Sequence, residues 1–139
     1  MNRWIAVALT VGAMVVAASM TASAGRPPEC FGKPATIIGT DGDDQIEGTT
    51  GDDVILGGPG NDHILSGDGD DRVCGGRGWD HVEVGDGLDK ATGGRARDAI
   101  DATDGQPGDV LYGGRHDDDQ CAYNDGDTVC RCEDHVVEP

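Results

Sequence analysis

Residues 57–65 read Gly57-Gly58-Pro59-Gly60-Asn61-Asp62-His63-Ile64-Leu65, and this nonapeptide sets a register that the flanking chain keeps. Stepping back by nine gives 48–56 (GTTGDDVIL) and 39–47 (GTDGDDQIE). Stepping forward gives 66–74 (SGDGDDRVC), 75–83 (GGRGWDHVE), 84–92 (VGDGLDKAT) and 93–101 (GGRARDAID). After a two-residue slip at Ala102-Thr103 come 104–112 (DGQPGDVLY), 113–121 (GGRHDDDQC) and 122–130 (AYNDGDTVC). In this register the sixth position is always acidic: Asp44, Asp53, Asp62, Asp71, Asp80, Asp89, Asp98, Asp109, Asp118 and Asp127. The eighth is apolar at Ile46, Ile55, Ile64, Val73, Val82, Ala91, Ile100, Leu111 and Val129, with Gln120 the exception. The fourth is Gly from Gly42 to Gly87, then Ala96, Pro107, His116 and Asp125.

Each nonapeptide divides into two parts. Six Gly-rich residues make a tight turn, because Gly takes positive φ without steric cost. Three residues make a short strand whose middle side chain, at position eight, points inward. Two repeats complete one coil of eighteen residues. Alternate repeats therefore stack into two separate sheets, with rungs roughly 4.8 Å apart. The expected fold is all-β, a parallel two-sheet solenoid of about ten nine-residue repeats with short terminal caps.

The pattern G-G-x-G-x-D-x-U-x, with U apolar, resembles the RTX (haemolysin-type) calcium-binding nonapeptide, a parallel β-helix repeat. Repeats 39–83 match best, 84–101 fairly and 104–130 poorly. The resemblance implies a β-roll binding several Ca²⁺ ions between the turns of repeats i and i+2. The sixth-position carboxylates and turn carbonyls would be the ligands, the all-oxygen shell that a hard cation prefers. It implies calcium bridges Asp44–Asp62, Asp62–Asp80 and Asp80–Asp98 on one edge, and Asp53–Asp71 and Asp71–Asp89 on the other. Asp109, Asp118 and Asp127 follow in the part where the pattern fades. The slip at 102–103 is expected to break the stacking of Asp89 on Asp109. Asp41, Asp43, Asp52, Asp68, Asp70 and Asp86, at turn positions three and five, are outer acids or simply exposed charge.

Composition supports a need for cations. The 139 residues hold 27 acids against 10 Lys plus Arg, a net charge of −17, and 4% aromatics. One modest apolar side chain per nine residues is a thin core against ordering entropy of about 1–2 kcal/mol per residue. Low hydrophobicity with high net charge is a composition of disorder. Folding coupled to calcium is the expectation. Nucleic-acid binding is excluded, because phosphate neutralisation needs clustered Lys and Arg.

The ends and the cysteines complete the plan. Arg3, the apolar run Trp4 to Ala18 and Ala22-Ser23-Ala24 read as a signal peptide spanning 1–24. Cleavage after Ala24 would leave a secreted, extracellular chain with no stable membrane anchor. Residues 25–38 are expected to cap the N-terminal end, 39–130 to form the roll, and 131–139 to form a C-terminal tail or cap. Export makes disulfides plausible. The outward side chains of the even sheet (Val54, Leu56, Cys74, Val110, Tyr112, Cys130) are the more apolar, and the cap carries Cys30, Phe31, Ile37 and Ile38. A Cys30–Cys74 bond is expected to pin the cap there. Cys121, Cys130 and Cys132 then share one bond and one spare thiol, and the sequence does not choose.

No catalytic constellation emerges, and the chain is expected not to be an enzyme. The glycine runs lack G-x-x-x-x-G-K-[ST] and belong to a repeat, not to a strand–helix junction. His63, Ser66 and Asp68 would lie on a shallow surface with no oxyanion hole. His63 and His81 should neighbour each other one rung apart on the odd face. Two stacked imidazoles could take zinc or copper with Glu83 as a third ligand, or they are an exposed polar ladder. A Cys-x-Cys metal or redox site at Cys130 and Cys132 is another alternative. The rival to a plain calcium binder is a calcium-dependent cell-surface adhesion or matrix protein that uses Trp79 or the even face against an unknown partner.

Overall fold

The computed structural model describes residues 26–115 and 118–132, and the backbone of 134–137. The signal-peptide reading of 1–24 therefore lies outside the described residues. The described chain is an all-β parallel solenoid of about five turns, with no helix.

A hairpin opens it, β1 (Glu29–Cys30) and β2 (Lys33–Pro34), paired antiparallel. From there the strands alternate between two six-stranded parallel sheets. One sheet holds β3 (Ile37–Ile38), β5 (Val54–Pro59), β7 (Arg72–Arg77), β9 (Lys90–Arg95), β11 (Val110–Gly114) and β13 (Thr128–Cys130). The other holds β4 (Gln45–Glu47), β6 (His63–Leu65), β8 (His81–Glu83), β10 (Ala99–Ala102), β12 (Gln120–Tyr123) and β14 (Asp134–Val137).

Register keeps like over like. Ile37, Ile55, Val73, Ala91, Leu111 and Val129 face one another in turn along the first sheet. Ile46, Ile64, Val82, Ile100 and Cys121 do so along the second. These two stripes meet as the core, joined by Val84 and Ala102. A one-residue shift in a strand would turn its apolar side chain to solvent, so the core fixes the register.

Four sequence expectations need correction. Ile37 and Ile38 form the first rung of the sheet and are not part of a separate cap. Val136 and its neighbours in β14 extend the second sheet past residue 130. The slip at Ala102-Thr103 does not break the stack: Thr103 and residues 105–108 are exposed, so the extra length bulges outward. In the segment 113–121 the register moves by one, so Cys121 points inward and Gln120 outward. Burying the Cys121 side chain and hydrating the Gln120 amide is the cheaper arrangement.

Ala96, which replaces Gly at position four, still takes the glycine turn, at φ 84°. At the equivalent Gly60 (φ 134°) an added Cβ would come within 2.5 Å of the Gly42 carbonyl. The turns thus stack backbone on backbone.

A disulfide joins Cys30 to Cys74 and holds the hairpin against the outer face of the first sheet. Cys30 and Val54 are buried there, and Phe31 meets Tyr112 at 6.0 Å between ring centroids. A second disulfide joins Cys121 to Cys132, leaving Cys130 as a thiol. Cys130 and Cys132 therefore do not form a Cys-x-Cys site.

Candidate metal centre

Each turn ends in an Asp whose side chain folds back into the coil. Asp44, Asp53, Asp62, Asp71, Asp80, Asp89, Asp98 and Asp109 are all buried, and so is Asp119. Burying nine carboxylates is costly unless each is hydrogen-bonded or meets a cation.

Half of each carboxylate is accounted for. On the odd edge the Asp44 N–H donates to Asp62 Oδ1 at 3.0 Å, Asp62 to Asp80 at 3.0 Å, Asp80 to Asp98 at 2.9 Å and Asp98 to Asp119 at 2.9 Å. On the even edge Asp53 donates to Asp71 at 2.8 Å, Asp71 to Asp89 at 2.8 Å, Asp89 to Asp109 at 2.9 Å and Asp109 to Asp127 at 3.1 Å. Two unbroken ladders run along the solenoid, and Asp89 stacks on Asp109 despite the inserted residues.

Asp119 takes the place that the sequence pattern gave to Asp118. The Asp118 carboxylate instead lies on the exposed surface, 3.1 Å from Arg97. The cause is the register shift at Cys121: the Asp two residues before the inward side chain enters the ladder.

The other oxygen separates the ends from the middle. At Asp44, Oδ2 accepts from the Thr40 N–H (2.6 Å) and hydroxyl (3.0 Å). At Asp53, Oδ2 accepts from the Thr49 N–H (2.7 Å) and hydroxyl (2.8 Å). At Asp127, Oδ2 accepts from the Asn124 N–H at 2.8 Å. Asp62, Asp80, Asp89, Asp98 and Asp109 carry a buried Oδ2 that meets no donor among the described residues. Asp71 has the Ser66 hydroxyl beside it, which favours its charged form.

Desolvation dominates the electrostatics of these groups. Burial pushes Asp80, Asp89 and Asp98 up to about 7 and Asp109 to about 6, partly opposed by the ladder N–H bond and reinforced by neighbouring carboxylates. Asp62 and Asp71 are raised by the same causes.

The space beside these oxygens is kept open by glycine. An added Cβ on Gly57 would lie 2.5 Å from Asp62 Oδ2 and 2.5 Å from the Gly75 carbonyl oxygen. On Gly75 it would lie 2.5 Å from Asp80 Oδ2 and 2.6 Å from the Gly93 carbonyl. Carboxylate and carbonyl oxygens therefore converge on Gly57 and Gly75. Oxygen donors with an unmet negative charge fit a hard divalent cation.

Position five adds something that the sequence reading left undecided. Asp43 Oδ1 accepts from the Asn61 N–H, and Asn61 Oδ1 from the Trp79 N–H. Asp52 Oδ1 accepts from the Asp70 N–H, and Asp70 Oδ1 from the Leu88 N–H. These outer ladders are exposed. They stop at Trp79 and Leu88, whose side chains cannot accept. The available signal was Asp or Asn at position five, eighteen residues apart.

The sequence pattern of the RTX calcium-binding nonapeptide repeat matches in four copies, at residues 38–73 and 75–106. Comparison with curated proteins and with solved structures gave no match. The matched stretch is the part in which glycine turns, apolar stripe and aspartate ladders are most regular, and the chain belongs to the RTX calcium-binding nonapeptide-repeat family.

Proposed function

We propose that the protein is a secreted, extracellular calcium-binding β-roll whose folding is coupled to the ion. The supporting observation is the row of buried Oδ2 atoms on Asp62, Asp80, Asp89, Asp98 and Asp109, each without a donor among the described residues. Asp62, Asp71, Asp80, Asp89, Asp98 and Asp109 would hold the ions, together with turn carbonyls such as those of Gly75 and Gly93. Asp119 takes the ladder place first given to Asp118. Bound calcium would supply positive charge where the ladder bonds have no more protons to offer. Asp44, Asp53 and Asp127 act more as end caps, because Thr40, Thr49 and Asn124 already meet their second oxygens.

Energetics favour coupling. A cation that binds only the folded chain stabilises it by RT ln(1 + [L]/Kd) per site. The chain carries −17 and a thin core, so it needs that contribution. For an extracellular module a Kd of roughly 10⁻⁴ to 10⁻³ M suits the surroundings. The two disulfides agree with an oxidising compartment.

Far-ultraviolet circular dichroism after EDTA treatment tests this. The expected result is a coil spectrum that turns to β on adding calcium and not on adding magnesium. A β spectrum indifferent to EDTA would separate the ladders from folding and overturn the proposal.

A further inference from the structure

We propose that His63, His81 and Glu83 form a transition-metal site on the outer face of the second sheet, suited to a divalent ion of the zinc class. The site is separate from the buried aspartates and does not depend on the calcium reading.

The repeat builds it. His63 and His81 are register partners on adjacent parallel strands, and Glu83 leaves β8 on the same face, two residues after His81. Glu83 Oε1 lies 3.1 Å from His81 Nε2 and 3.3 Å from His63 Nε2. The rings stand edge to face with centroids 5.0 Å apart. One ligand atom from each of the three residues lies within 4.8 Å of the others. Two donors held at about 2.1 Å from a tetrahedral zinc ion sit about 3.4 Å apart, so the set needs little movement to close on a metal. Three protein ligands leave a fourth position for water.

The surroundings favour a cation. The outward residues of β4, β6, β8, β10 and β12 are Gln45, Glu47, His63, Leu65, His81, Glu83, Ala99, Asp101, Gln120 and Ala122, without a Lys or Arg. The row containing Glu83 runs Glu47, Leu65, Glu83, Asp101. The opposite sheet instead places Arg72 beside Lys90. Two imidazole nitrogens are poor ligands for calcium and good ones for zinc, so each ion selects its own site.

The test is calorimetric titration of the full chain with Zn²⁺ while calcium is held in large excess. The expected result is one tight zinc per chain. His63→Gln and His81→Gln should each weaken it at least about tenfold, since even a lost outer partner of a ligand costs that much. Both variants should keep the calcium-loaded circular dichroism spectrum, because the rings are on the surface. Cys130→Ser should leave zinc binding unchanged. On the unaltered chain, zinc should shift the ring signals of two of the four histidines in the NMR spectrum. Zinc displaced by calcium, retained by the double histidine variant, or lost in Cys130→Ser would each overturn the proposal.

Discussion

From Asp44 to Asp98 the ladder aspartates recur every nine residues, whereas Asp98, Asp109, Asp119 and Asp127 are separated by eleven, ten and eight. Both halves nevertheless build the same object. The N–H of one Asp meets the Oδ1 of the Asp one coil later at 2.8–3.0 Å in the first half and 2.9–3.1 Å across the second. The solenoid therefore does not require a fixed length of turn. It requires that an Asp and, two residues on, an apolar side chain return to the same rung. Extra residues loop outward, where their backbone can be hydrated. Each half also carries one disulfide, Cys30–Cys74 in the first and Cys121–Cys132 in the second.

The largest effect expected on this comparison comes from pH in the absence of calcium. Asp80, Asp89 and Asp98 titrate near 7 in the fold against 3.8 for the ordinary carboxyl. The folded state then binds more protons than the unfolded one between those values, so stability falls as pH rises. The contribution is complete below about pH 4 and gone once pH passes about 7. Circular dichroism of calcium-free chain should show β-structure at acid pH and its loss by pH 8. An ordered calcium-free chain at pH 8 would contradict the burial of these groups.

The disulfides should rank by the loops they close. Sequence separations of 44 and 11 residues correspond to about 4 and about 3 kcal/mol of chain entropy. Cys30→Ser with Cys74→Ser should therefore lower calcium-loaded thermal stability more than Cys121→Ser with Cys132→Ser. Equal losses would show that the irregular half depends on its bond for more than entropy.

Asp119→Ala and Asp118→Ala bear directly on the register. Removing the Asp119 carboxylate leaves the buried Asp98 N–H without its acceptor, a cost of about 1–3 kcal/mol. Removing Asp118 breaks an exposed contact with Arg97, worth about 0–1 kcal/mol. Urea unfolding in saturating calcium should separate them. The reverse order would restore the uninterrupted nine-residue register. Ala96→Gly should have the smallest effect, stabilising by up to about 1 kcal/mol, because Ala carries a steric cost at φ 84° that Gly lacks. Thermal melts in calcium would reveal it.

Much of this was legible because one carboxylate and one apolar side chain fall at fixed offsets. The two sheets, their inward stripes and the stacking of Asp44 to Asp98 follow from that period, whereas the N–H bonds that link successive aspartates do not. The misreading at Asp118 has a simple origin. Residues 117–119 are three consecutive aspartates, and spacing cannot choose among them. The choice is made by Cys121, whose side chain the core accepts and Gln120's does not. Thr40 and Thr49 were passed over for a different reason. Their role as donors to Asp44 and Asp53 appears only when the turn brings position two against position six. The slip at 102–103 misled because insertion was equated with interruption, while Thr103 and residues 105–108 turn outward.

The ladder bonds also give the molecule a direction. In the buried ladders the N–H belongs to the earlier coil and the accepting oxygen to the later, while the exposed ladders at position five run the opposite way. A chain that emerges from its N-terminal end always carries its newest coil unfinished, awaiting residues about eighteen positions behind. Trimming the two ends would consequently be unequal. Loss of the last coil uncovers the backbone N–H groups of the coil before it, whereas loss of the first uncovers carboxylate oxygens; water can meet either, but only the second adds exposed negative charge for a cation to meet. The two ends of the stack therefore differ in chemistry, donors at one and acceptors at the other.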